Sequence, residues 1–203
     1  MKAIFCGVLI YFTFCMMPAQ VHAASTDTVV IHPRSSWSAQ EARPYKQHKL
    51  THITIHHEGG RILLPTDDAK QRLKNIQTWC MGPDRNWADI PYHLLIAPDG
   101  TVYEGRNVYT VGETNTEYDP EGHLHISFLG NYTQQKLDEH LLQMLTDLLR
   151  DMCLMYDISP DQIATHRDYS AQTTCPGEDI YSYFKSGYII NEVKQKILQK
   201  TTR

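Results

Sequence analysis

Residues 50–57, "LTHITIHH", alternate apolar and polar positions and are rich in β-branched side chains, which predicts a strand ended by "EGG". The period then changes from two to about 3.6. Over 66–80 Ala69, Leu73, Ile76 and Cys80 recur at helical spacing, with acids in the first turn and Thr66 in the capping position. Residues 91–106, "PYHLLIAPDGTVYEGR", read as a hairpin, two runs joined by Pro-Asp-Gly turn chemistry. Residues 124–132 form another apolar strand, and 138–158 a long helix with a wide apolar stripe, closed by "SP". A short strand over 162–166 delivers His166, and an amphipathic helix spans 187–200. Strands interleaved with helices predict an α/β fold: one domain, a central mixed sheet flanked by helices.

The first residues do not join this pattern. Lys2 precedes the apolar run "AIFCGVLIYFTFCMM", and "VHA" supplies small residues before a cut after Ala23. Residues 1–23 therefore read as a secretory signal peptide, too short for a permanent membrane span, and 24–203 as the mature domain. The destination is a periplasm or the outside. Bulky Phe residues before Cys15 argue against lipidation, and no later segment predicts a membrane anchor. The chain has 19 Lys and Arg against 23 Asp and Glu, and loses Lys2 with the leader. A mildly acidic domain lacks the basic face of a nucleic-acid binder.

Cys80, Cys153 and Cys175 survive processing, an odd number in an oxidising compartment. Cys80 and Cys153 lie in helical patterns and fit buried small residues, with a Cys80–Cys153 disulfide as the alternative. Cys175 stands apart, in the polar stretch "ATHRDYSAQTTCPG" with His166 nearby.

With "RSSW", "ITIHH", "NWADIPYHLLIAPDGTVYEGR", "ISFLGNY" and "HRDYSAQTTCPG" in register over about residues 30–185, the chain resembles the zinc-dependent N-acetylmuramoyl-L-alanine amidases of the peptidoglycan recognition protein and phage T7 lysozyme type. The resemblance implies zinc held by His56, His166 and Cys175, with His57 on the opposite face of its strand. Two imidazoles and a thiolate suit Zn²⁺, and three protein ligands leave a fourth position for water. The resemblance also implies Tyr92 as the catalytic tyrosine beside the metal, and Thr173 (or Thr174) as a further oxyanion donor. The stretch from His166 to Cys175 is one residue longer than the family's usual spacing. By the same resemblance, Trp87 and Asn86 sit where relatives carry a pair that helps sort the third stem-peptide residue. Arg106 suits a stem-peptide carboxylate or, equally, a solvated strand end. "VGET" (111–114) lacks a histidine common in the family, and His123 and His125 read as surface residues. "NYT" (131–133) fits a glycosylation sequon.

The expected activity is hydrolysis of the amide between N-acetylmuramic acid and L-alanine of peptidoglycan or muropeptides. The alternative is a non-catalytic peptidoglycan-binding protein of the same fold; such relatives typically lose the metal cysteine. A third reading, a His₂Cys blue-copper carrier, finds no axial methionine in the ligand loop.

Overall fold

Which side chains meet at the candidate site follows from strand register. The computed structural model describes residues 28–202, so the leader expected over 1–23 lies outside the described residues. Strands β1 (Ile31–His32), β2 (His52–His57), β3 (Leu94–Ile96), β4 (Val102–Glu104), β5 (His123–Phe128) and β6 (Ile163–Thr165) form one sheet in the order β1-β4-β3-β5-β2-β6. Only β3 and β4 run antiparallel, through the Asp99–Gly100 turn; Gly100 has φ 85° and Asp99 Oδ1 accepts the Thr101 N–H at 2.9 Å. The expected hairpin and mixed sheet are both present.

Strand β2 lies between β5 and the edge strand β6, parallel to both. Alternation sends Ile53 and Ile55 to one face with Leu124, Ile126 and Phe128 of β5. There they pack against α2 (Glu139–Tyr156), α4 (Glu178–Lys185) and α5 (Tyr188–Thr201). The opposite face carries Leu95 and Tyr103 and is covered by α1 (Ala69–Met81) through Leu73, Ile76 and Cys80. Beyond the reach of α1 that second face is polar: Thr54 and His56 of β2 stand beside His125 and Ser127 of β5. A polar interior wall on an otherwise apolar sheet marks the site.

Local chemistry corrects several expectations. Asp68, not Thr66, caps α1, its Oδ1 accepting the Gln71 N–H at 2.9 Å. "RSSW" is a 3-10 turn that fastens the N-terminal segment to the hairpin: Trp37 Nε1 donates to the Glu104 carbonyl at 2.8 Å. Cys80 and Cys153 are free thiols on opposite faces of the sheet, so the alternative disulfide is not formed. His123 and His125 are buried rather than superficial, because β5 is covered on both faces. Buried charges join α2 to α5, with Asp147 accepting from Arg150 and from Lys196, each at 2.9 Å. No helix among the described residues is long and apolar enough to cross a membrane.

Candidate metal centre and active site

Three elements bring the sulfur and imidazoles together. His56 comes from the end of β2; His166 opens the four-residue helix α3 (His166–Tyr169) directly after β6. Thr165 donates to Asp168 Oδ2 from both its N–H, at 2.8 Å, and its hydroxyl, at 2.6 Å, fixing where that helix begins. Cys175 ends the following loop, and the Arg167 N–H donates to its carbonyl at 3.0 Å, closing the loop at its base. Ala171 and Gln172 of this loop face solvent.

His56, His166 and Cys175 are all buried, and one ligand atom from each lies within 4.8 Å of the others. His56 Nδ1 is 3.7 Å from Cys175 Sγ. Zinc bonds of about 2.0 and 2.3 Å at tetrahedral angles would place such atoms about 3.5 Å apart, so this pair fits with little movement. The His57 N–H donates to Cys175 Sγ at 3.3 Å. Burial lowers the His166 imidazole to about 4 and pushes the Cys175 thiol up to about 12. The histidines are therefore neutral, the form in which imidazole ligates a metal. The sulfur needs a cation beside it to become the thiolate ligand. The donor set and its burial fit zinc. His57 faces away, its Nδ1 accepting the Tyr132 N–H at 3.1 Å.

His56 and His166 open into a cavity of about 520 Å³, within the range of small-molecule sites. Tyr92 is on its wall, with its ring centroid 5.3 Å from that of His56. Burial raises the Tyr92 phenol, which stays protonated and can donate a hydrogen bond. Trp87 also lines the cavity, and the Arg85 guanidinium lies between the Trp87 and Trp79 rings, 5.1 and 4.3 Å from their centroids. Glu58 and Arg72, joined through Arg72 Nε to Glu58 Oε2 at 2.9 Å, form the opposite charged pair of the wall.

Other expected residues are placed differently. Thr173 lies on the ligand loop rather than the cavity wall, and its Oγ1 accepts the Cys175 N–H at 3.1 Å. Asn86 accepts from Arg43 at the surface. Arg106 is neither solvated nor on the cavity wall. It is 1% exposed and donates to the carbonyls of Asp89, Ile90 and Val111 at 3.0, 2.9 and 2.6 Å, and it pairs with Glu113. Glu113 comes from the "VGET" loop, which folds back over the hairpin and takes the guanidinium inward.

Sequence reasoning missed two contributors. Thr116 Oγ1 lies 2.8 Å from His166 Nε2, and His125 Nδ1 lies 2.8 Å from His56 Nε2. The second had a signal in the alternation of "HLHISF", which puts His123, His125 and Ser127 on the face of β5 that meets His56. Thr116 had none, because its position depends on how a long loop folds back.

Comparison with known proteins gives a consistent set. The family described as N-acetylmuramoyl-L-alanine amidase matches residues 23–178. Peptidoglycan-recognition protein SC2 of Drosophila simulans is 31% identical over 160 residues, covering 78% of this chain and 86% of that protein. The crystal structure of Drosophila peptidoglycan recognition protein SD superposes with a TM-score of 0.68 at 28% identity, over 77% of this chain and 94% of that one. A human peptidoglycan recognition protein in complex with glycosamyl muramyl pentapeptide gives 0.68 at 26%, over 77% and 94%.

Proposed function

Because the chain belongs to the N-acetylmuramoyl-L-alanine amidase family, we propose that it is a zinc hydrolase that cuts the amide between the muramyl lactyl group and L-alanine of peptidoglycan or muropeptides. The observation that carries this reading is the convergence of buried His56, His166 and Cys175, with the two imidazoles lining a cavity that Tyr92 also lines. Zinc held by the three ligands would polarise the scissile carbonyl and bring the pKa of water near ~7.

The chain's own residues then have separate tasks. Tyr92 holds a phenolic proton and would donate it in a hydrogen bond to the carbonyl oxygen as charge builds there. The Thr173 hydroxyl accepts from the Cys175 N–H, which leaves its own proton for donation to a second acceptor. The Cys175 sulfur is held by the His57 N–H, so the ligand loop cannot swing from the strand without losing that bond. Trp87, Trp79 and Arg85 form a flat, cationic rim suited to a peptide or sugar face. Residues 1–23 are proposed as a leader, which would send the enzyme to a periplasm or outside the cell, where peptidoglycan is found.

The test is metal analysis of the mature chain combined with mass spectrometry of muropeptides, with and without chelator. About one zinc per chain is expected, with chelator-sensitive release of stem peptide beginning at L-alanine. Cys175→Ser should abolish release. Full turnover in that variant would remove Cys175 from the ligand set. The second reading is ligand recognition without cleavage, favoured by the name of the Drosophila relative. Tight muropeptide binding with neither zinc nor cleavage would establish it instead.

A further inference from the structure

The histidine behind His56 has no assigned role. His125 is 2% exposed, lines the cavity, and sits on β5 directly beside β2. Its backbone is fixed by a third imidazole. His93 Nε2 lies 2.9 Å from the Thr110 carbonyl, which can only accept, so the His93 proton is on Nε2 and Nδ1 is an acceptor. The His125 N–H donates to that Nδ1 at 2.8 Å. The side chain is equally confined. A Cβ on Gly112 would come within 2.6 Å of His125 Cδ2 and 2.7 Å of its Nε2, so the loop is cut to the shape of this ring.

The hydrogen bonds between the rings admit one assignment once His56 Nδ1 faces the sulfur as a ligand atom. That nitrogen must then hold a lone pair, so the His56 proton is on Nε2. Nε2 is 2.8 Å from His125 Nδ1, which must accept. A neutral His125 consequently carries its proton on Nε2, an atom with no hydrogen-bond partner among the described residues. Tyr118 Oη, 3.3 Å from His125 Nδ1, approaches the same acceptor.

We propose that His125 is a positioning residue for the metal centre: its Nδ1 accepts the His56 Nε2 proton and so fixes the tautomer and ring angle that turn His56 Nδ1 toward Cys175. The proposal rests on the zinc reading of the site. Partners of this kind, on the far nitrogen of a ligating histidine, typically change metal affinity 10- to 100-fold (roughly) when removed.

Two measurements test it. Nitrogen-15 spectra of the metal-free mature chain should already show the His56 proton on Nε2, so the ring is set before metal arrives. Zinc affinity, measured by competition with a chelating dye, should fall by about 10- to 100-fold in His125→Leu. It should stay near wild type in His125→Asn, whose Oδ1 replaces the acceptor. Gly112→Ala, which displaces the ring without changing any polar group, should weaken zinc binding in the same direction. If His56 carries its proton on Nδ1 in the metal-free wild type, or if His125→Leu binds zinc as tightly as wild type, the role is wrong and the zinc site stands. A wild-type chain that takes up no zinc overturns the zinc reading itself, and the role with it. The wild-type spectrum decides the question even if a variant fails to fold.

Discussion

Tyr92 and Arg106 come from the same hairpin region yet have opposite surroundings. Tyr92 faces the cavity with its proton retained, so Tyr92→Phe should lower kcat by about 10²–10³ if the phenol stabilises the oxyanion. Zinc content and KM should change little; a variant with wild-type kcat would make Tyr92 a packing residue. Arg106 is enclosed by three carbonyls and Glu113. Arg106→Met strands the Glu113 carboxylate and should cost about 3–5 kcal/mol in urea denaturation. Loss of ligand affinity with unchanged stability would instead restore Arg106 as a substrate contact. This contrast shows what could be read beforehand. Periodicity placed His56 on a strand, but that His56, His166, Cys175 and Tyr92 would meet was implied by the family resemblance, since Cys175 lies in a loop without a period. Whether Arg106 faces solvent depends on where the 111–114 loop folds, which is set by tertiary packing and leaves no local pattern.

Among the elements, the long helices and the central strands were legible because each has a clear period and end signals. Of the short ones, β6 falls within the expected 162–166, but β1 and α3 were not legible. β1 has two residues and is held by pairing with β4, and α3 has four and is set by the Thr165–Asp168 cap. The α2–α5 contact adds a feature invisible to periodicity, a charged seam inside an apolar interface. Lys196 Nζ donates to Thr146 Oγ1 at 2.7 Å and to Asp147, which also holds Arg150. Asp147→Ala would remove the carboxylate that buried Lys196 pairs with, while Arg150 keeps Asp151. A loss of about 3 kcal/mol or more is expected from thermal or urea unfolding, with α5 losing amide-exchange protection first. An unchanged midpoint would mean that the seam contributes only specificity.

For the molecule as a whole, the buried imidazoles set the response to acid. Burial holds His93 at about 3 and His123 at about 4, against about 6.5 in an unfolded chain. A lowered folded-state value means that the unfolded chain takes up protons the native one refuses. The stabilisation is thus complete above about pH 6.5 and is lost as pH falls toward 4 and then 3. Each group should cost on the order of 2 kcal/mol by about pH 4.5. Urea midpoints of the metal-free chain at about pH 7.5 and 4.5 test this; a midpoint that does not drop on acidification would mean these histidines are charged in the fold.

The parallel pairing of β2 has a further consequence, for the order in which the molecule can assemble. His56 meets His125 across 69 residues of chain and Cys175 across 119. Parallel partners cannot be reached by a tight turn, so β2 must wait for distant segments before its edges are filled. A chain cut short before β6 lacks one neighbour of β2 and two of the three converging side chains together. Completion of the fold and completion of the centre are then one event, and a truncated or half-folded molecule has no partial form of the site with which to act.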